Sequence, residues 1–195
     1  MKINTIAIIG AIIALIGLAF PWWTITFSMS PGIEVTPGMT FSYSTSIYPY
    51  QTTTTAYGAT TIGQMNLWYG WTAFTLLLLG ALLAIAFSLI PEARLTLALS
   101  GILAALSVIV FAAGVQNDVS TTSDIPGVGL FSNGSISYLG VSYNYTTYLS
   151  VGFWLAVIGA TVMLVASLWK PKAAEPTAVP PPAPAQQEQV STPQS

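Results

Sequence analysis

Apolar residues in this chain gather into four long runs, at 3–23, 68–90, 93–115 and 148–169. Each reaches the roughly 20 residues that a helix needs to cross ~30 Å of hydrocarbon. No Asp, Glu, Lys or Arg lies deep inside any of them. In the second run Phe74, Leu76 to Leu79, Leu82, Leu83 and Ile85 each favour insertion by ~0.3–0.6 kcal/mol, and no central charge opposes them at ~2.5–3.5 kcal/mol. The intervening stretches, 24–67 and 116–147, are too long to be simple connectors. In them the period changes to two. Ile25, Phe27 and Met29 alternate with Thr and Ser, as do Met39, Phe41, Tyr43, Thr45 and Ile47, and this predicts strands. Pro31, Gly32, Pro37, Gly38 and Pro49 break the segments, and Thr52–Thr55 reads as a sheet edge or a loose linker. Asn133-Gly134, set between Leu130–Ser132 and Ser135–Tyr138, predicts a type I′ hairpin turn, with a further strand through Val141, Tyr143 and Tyr145.

The expected fold is therefore a membrane all-α protein. It is a four-transmembrane-helix antiparallel bundle with a small extracellular β-sheet cap formed by the two outer loops. Residues 1–170 form the membrane domain, and the short link Pro91–Arg94 forces the second and third spans to run antiparallel. Small residues recur four apart, as in Ala7/Ala11, Gly10/Ala14, Gly80/Ala84, Gly101/Ala105, Gly152/Ala156 and Ala156/Ala160. Such pairs let helix backbones approach closely in lipid, here within the chain or between copies.

Charge sets the orientation. Lys2, Arg94, Lys170 and Lys172 are the four basic residues, and all flank the same ends of the runs. Basic residues are retained on the cytoplasmic side, so both termini are expected there, in a multi-pass protein of the cell (plasma) membrane. The first run lacks an A-x-A cleavage pattern after Leu18 and reads as an uncleaved span. Trp22, Trp23, Trp68, Trp71 and Trp154 on the outer side, and Trp169 beside Lys170, read as interface anchors, because indole rings favour the headgroup layer.

Composition narrows the chemistry. Only 5% of the 195 residues are charged, against about 25% in soluble domains, so lipid is the expected surrounding. A net charge of -2 offers nothing to nucleic acid. Cys and His are absent, which excludes thiolate chemistry, disulfides and imidazole metal sites. Glu34, Asp118 and Asp124, the only charges of the outer loops, follow no recognised calcium-loop spacing. No cofactor, metal or catalytic residue is expected. Asn133-Gly134-Ser135 and Asn144-Tyr145-Thr146 are N-glycosylation sequons, at Asn133 and Asn144. Residues 171–195, with Pro180–Pro184, read as a disordered Pro-rich cytoplasmic tail.

This layout has four spans, inner termini, a long β-rich first outer loop carrying Trp22 and Trp23 near its start, and a shorter second loop. It resembles the claudin and peripheral-myelin-protein layout over about residues 1–170. The resemblance implies a sheet built on a four-helix scaffold. The cysteine pair of the claudin first loop is missing here, so the likeness is architectural and no functional residue is carried over.

The expected function is that of a non-catalytic membrane protein, either a structural or accessory subunit or a cell-surface interaction element. Its partners would be the lipid bilayer and other membrane or surface proteins, or further copies of itself. One alternative is an oligomeric pore for small solutes, motivated by Thr72, Thr75, Ser100 and Ser107. Another is an accessory subunit of a membrane enzyme complex.

Overall fold

The computed structural model describes residues 4–30, 41–64, 67–90, 93–122, 128–138 and 141–168. Where hydropathy is continuous, the chain is helical: α1 Thr5–Leu18, α2 Trp68–Phe87, α3 Arg94–Thr122 and α4 Val151–Leu168. The segments Trp68–Phe87, Arg94–Val119 and Val151–Leu168 are long and apolar enough to cross a membrane. Helix α1 is equally apolar but has 14 residues, and it stops well before the 23rd position expected for the first run. Pro21 is the physical reason: a proline disfavours helical geometry in the residue before it and lacks the N–H a helix would use. Helix α3 departs in the opposite direction. It continues past Val115 to Thr122, so Gln116, Asn117 and Asp118 lie on its last turns rather than in a loop.

The helices pack as a closed ring, α1 against α4 and α2, and α3 against α2 and α4. The α1–α4 seam is made almost entirely by small residues. Ala7, Gly10, Ala11, Ala14 and Gly17 of α1 are buried, as are Gly152, Ala156, Gly159 and Ala160 of α4. A methyl group placed on Gly159 would sit 2.7 Å from both the Gly10 carbonyl oxygen and the Ala14 nitrogen, so the two backbones are in direct contact. The recurrent small pairs of these two helices are thus used within the chain. At one end of the seam the Asn4 amide nitrogen donates to the Ala166 carbonyl at 3.1 Å, while the Asn4 backbone N–H donates to Ser88 at 2.9 Å. Asn4 also caps α1 by accepting from the Ala7 N–H at 3.2 Å. At the other end the Gly152 N–H donates to the Pro21 carbonyl at 3.0 Å.

Six strands form one antiparallel sheet in the order β4-β3-β2-β1-β6-β5, with β1 Trp23–Ser30, β2 Phe41–Ile47, β3 Gln51–Ala56, β4 Ala59–Gln64, β5 Ser132–Tyr138 and β6 Val141–Leu149. Both loops contribute, as the alternation predicts, but the sheet is larger than expected. The Thr52–Thr55 stretch is an inner strand, and β4 forms the edge beyond it. Tyr57 and Gly58 make the turn between β3 and β4 with φ of 51° and 78°, the doubly positive pattern of a type I′ hairpin.

The Asn133-Gly134 turn expected from sequence is overturned. Both residues lie inside β5, where Asn133 pairs with Thr146 and Gly134 with Tyr145. The glycine serves a different purpose: the Tyr145 ring lies across it, and a methyl there would meet the Tyr145 hydroxyl at 2.7 Å. The β5–β6 ladder extends to the pairing of Tyr138 with Val141.

Helices and sheet share one core. Trp22, Leu77, Phe111, Phe153 and Met163 belong to a single buried cluster with Trp23 and Leu149 at the base of the sheet. Strand β1 follows α1 within five residues and β6 runs into α4 through Ser150. The Ser150 N–H donates to the Trp22 carbonyl at 2.9 Å, and buried Thr24 and Ser150 hydroxyls bond at 2.7 Å.

Candidate functional site

The strand register sorts the sheet into two chemically opposite faces. Trp23, Phe27 and Met29 of β1 align with Ile47, Tyr43 and Phe41 of β2 and with Leu149, Tyr145 and Tyr143 of β6, while Ile25 lies between Thr45 and Thr147. The opposite face carries Thr24, Thr26 and Ser28 beside Ser46, Ser44 and Ser42, continuing into Tyr148, Thr146 and Asn144 of β6. Such a split follows from the two-residue period of a strand.

Next to the helices the apolar face opens into a cleft of about 350 Å³. One wall is β1 and β2, with Trp23, Ile25, Phe27 and Ile47. The other is built by Leu67 and Tyr69 at the start of α2, by Val115, Asp118 and Val119 near the end of α3, and by Val128. The extension of α3 beyond the apolar run supplies Asp118 and Val119 to this second wall. The Trp23 indole N–H donates to the Leu130 carbonyl at 3.3 Å, and the Gln116 side-chain oxygen accepts from the Leu130 N–H at 3.2 Å. These two bonds hold the segment around Val128 against β1 and α3.

The polar chemistry of the cleft is concentrated at one point. The Tyr69 hydroxyl donates to the Asp118 carboxylate at 3.1 Å. Asp118 is the sole acid among the described residues, and it is half-buried. Gly114 lets the Tyr69 ring approach α3 closely, since a methyl there would fall on the ring. The Tyr69 ring also meets Phe111 edge-on at 6.0 Å, and Phe111 meets Trp22 at 5.0 Å. One aromatic chain therefore runs from the helix core to the cleft. An apolar hollow of this size with a single carboxylate–phenol pair can bind a small molecule.

The sequence-predicted residues fall in different places. Trp22 is completely buried, with its indole N–H donating to the Gly17 carbonyl at 3.0 Å and its ring edge-on to Phe111 and Phe153. Trp23 is buried as well. Both therefore present their rings to protein and not to a headgroup layer, because α1 ends before reaching them. Trp68, Trp71 and Trp154 are exposed. Arg94 begins α3, at the helix ends joined by Asn4, Ser88 and Ala166, while Asp118 lies toward the sheet. Lys2, Lys170, Lys172, Trp169, Glu34, Asp124 and the Pro-rich tail lie outside the described residues.

Asn133 and Asn144 are brought together: they are exposed on adjacent strands of the hydroxyl face, Asn133 opposite Thr146 and Asn144 opposite Ser135. Each asparagine thus faces the hydroxyl residue of the other's sequon. Tyr69 and Asp118 were not paired by the sequence reading, and their separation of 49 positions leaves no local signal.

The hydroxyls that motivate a pore are bonded to backbone. Thr72 donates to Trp68, Thr75 to Trp71 and Ser100 to Leu97 within their own helices, and Ser107 crosses to the Ala73 carbonyl at 2.6 Å.

No protein-family model matches the chain, and no curated protein is similar to it in sequence.

Proposed function

We propose that this is a four-span protein of the cell membrane with both termini in the cytoplasm, displaying its sheet outside and acting by binding other membrane or surface proteins or copies of itself. Three helices meet the length and hydropathy for spanning. The shorter α1, with its flanks from Asn4 to Pro21, follows α4 from Ala166 to Gly152 and so shares its depth. On this reading the four helices are the membrane bundle, the sheet caps its outer end, and the Arg94 end faces the cytoplasm.

The observation that carries the binding role is the unprotected edge strand. Every residue of β4 is exposed, and the strand, Ala-Thr-Thr-Ile-Gly-Gln, holds neither charge nor proline. Proteins ordinarily blunt such an edge with Lys, Pro or a bulge, because its free N–H and C=O groups template pairing with another chain. Ile62 of this strand and the neighbouring Tyr57 are largely exposed, which places apolar area at the same rim.

A photocrosslinking amino acid at Thr61, activated in native membranes, tests this role. The expected product is a protein adduct, either a second copy or a distinct partner. Products confined to lipid and to the chain itself would refute it. Outer placement also exposes Asn133 and Asn144 to N-glycosylation.

A further inference from the structure

We propose that the outer edge of β4 pairs antiparallel with β4 of a second copy, centred on Ile62, so that two sheets become one and their helix bundles lie at opposite ends of it, in two facing membranes. This deepens the binding role proposed above and rests on it and on the outer placement of the sheet.

The hairpin fixes which backbone groups face outward. Tyr57 and Gly58 form a two-residue turn, so the flanking Ala56 and Ala59 exchange both of their backbone bonds. Hydrogen-bonded and non-hydrogen-bonded pairs then alternate along an antiparallel ladder. Ala59, Thr61 and Gly63 therefore turn their N–H and C=O groups to β3, and Thr60, Ile62 and Gln64 turn theirs to the edge. These outward groups are symmetric about Ile62. A second β4 in antiparallel register meets all of them at once, with Ile62 opposite its own equivalent and Thr60 opposite Gln64.

The side chains select the same register. Thr24, Ser46, Thr53 and Ile62 form one row across β1, β2, β3 and β4. Ile62 therefore stands on the hydroxyl face, where it is 72% exposed and is the single large apolar residue of its strand. In the symmetric register two isoleucines stand side by side, their Cα atoms about 5.5 Å apart, and cover each other.

Charge favours a copy over an unlike partner. None of the six strands carries Asp, Glu, Lys or Arg. A charged edge repels its own copies, which is one of the usual protections of an edge strand, and this sheet does without it. A partner recognised through ion pairs would find no counter-charge on the strands.

Direction follows from symmetry. A two-fold axis along the strands would set N–H against N–H and C=O against C=O at equal height, so a symmetric pair of β4 strands is antiparallel. The Gln51–Gln64 end of the β3–β4 hairpin lies at the bundle, where the Tyr50 ring meets Phe74 of α2 edge-on at 5.8 Å. At the other end Tyr57 lines a surface hollow with Met29 and Tyr143, far along β1 and β6 from the helices. Reversing one hairpin against the other therefore sends the two bundles in opposite directions. One strand pair is a small contact beside the ~1,200–2,000 Å² of a stable interface, so many copies in two apposed membranes are what make it hold.

The chain has no Cys, so single-cysteine variants report the register directly. Two vesicle populations are prepared separately with the full chain, each bearing a different epitope tag, then mixed and oxidised. Ile62→Cys in both should give a disulfide dimer carrying both tags. Thr60→Cys in both should give at least about tenfold less, since these positions are offset by about 14 Å along the strands and a disulfide needs Cα atoms within about 7 Å. Thr60→Cys in one population and Gln64→Cys in the other, with Ile62 kept, should restore the mixed-tag product. Adding Ile62→Pro to both should remove it, because the proline takes away an outward N–H and leaves the bonds to β3. Equal yields for Ile62→Cys and Thr60→Cys, or dimers carrying one tag only, overturn the proposal. So does a Thr61 photoadduct that contains only a different protein, a result that leaves the binding role itself intact, whereas the absence of any protein adduct refutes both.

Discussion

The α1–α4 seam and the β1–β6 pairing join the same two segments of chain by opposite means. In the seam, side chains are small or missing: Gly10, Gly17, Gly152 and Gly159 bring backbone close to backbone. In the sheet, side chains are everything. The ladder would close in any register, and the alternation of Trp23, Ile25 and Phe27 with Thr24, Thr26 and Ser28 selects one. A small residue therefore carries a different meaning at Gly159 and at Gly134: at the first it is a contact between backbones, and at the second it is space for a neighbour's ring.

Trp22→Ala should have the largest effect, because it breaks both regions. The ring fills the space between Phe111 and Phe153, and its N–H satisfies the Gly17 carbonyl near the end of α1. A loss of about 3–5 kcal/mol is expected for truncating a fully buried tryptophan. Denaturant unfolding in mild detergent measures it, and a loss under about 1 kcal/mol would mean that the tryptophan is not the keystone of the junction.

The next two substitutions separate the regions. Gly159 and Gly134 would each place a new methyl 2.7 Å from its nearest neighbour, yet the neighbours differ. At Gly159 these include the Ala14 nitrogen and the Gly10 carbonyl, which move only if α1 moves. At Gly134 the neighbour is the hydroxyl end of Tyr145, which can swing aside. Gly159→Ala should cost about 1–3 kcal/mol, the usual range for overpacking. Gly134→Ala should cost less than about 1 kcal/mol, since removing a strand glycine recovers roughly 0.5–1 kcal/mol of backbone entropy. The same unfolding experiment compares the pair, and a larger loss at Gly134 would invert the contrast drawn here.

These contrasts also explain how much could be read in the sequence. Hydropathy located α2, α3 and α4, because continuous apolar runs have few alternatives. Period two located β1, β2 and β6. The errors arose where a local signal met a distant partner. Asn133-Gly134 has the composition of a tight turn, but the ladder with β6 takes in both residues and continues for four residue pairs beyond the glycine, which outweighs one turn. The actual described turn, Tyr57-Gly58, sits between Thr-rich strands whose apolar content is too low to advertise a hairpin. Trp22 and Trp23 looked like the end of a span because hydropathy runs through Pro21, whereas the backbone changes from helix to strand there. The cleft was illegible for the same reason: Tyr69 and Asp118 meet only because α2 and α3 pack against each other.

The smallest effect is expected on the hydroxyl face, and it bears most directly on what that face is for. Thr26 and Ser44 are partners across β1 and β2, but their hydroxyls are 3.5 Å apart, at the limit of a useful bond. Thr26→Val should therefore change stability by no more than about 0.5 kcal/mol, as for other substitutions away from a core. Asn133→Gln and Asn144→Gln should be equally silent in the unfolding curve, since both side chains are exposed. If the sheet lies outside, their effect belongs elsewhere. Expression in a glycosylating host should give a band that a glycosidase collapses, each single variant should remove one step of the shift, and the double variant should migrate as the treated protein. Two glycans on adjacent strands would shield the hydroxyl face and leave the β4 edge and the aromatic face for contact. A protein that shows no shift in any variant leaves that face bare, and the asymmetry between the two faces must then be sought in what each one binds.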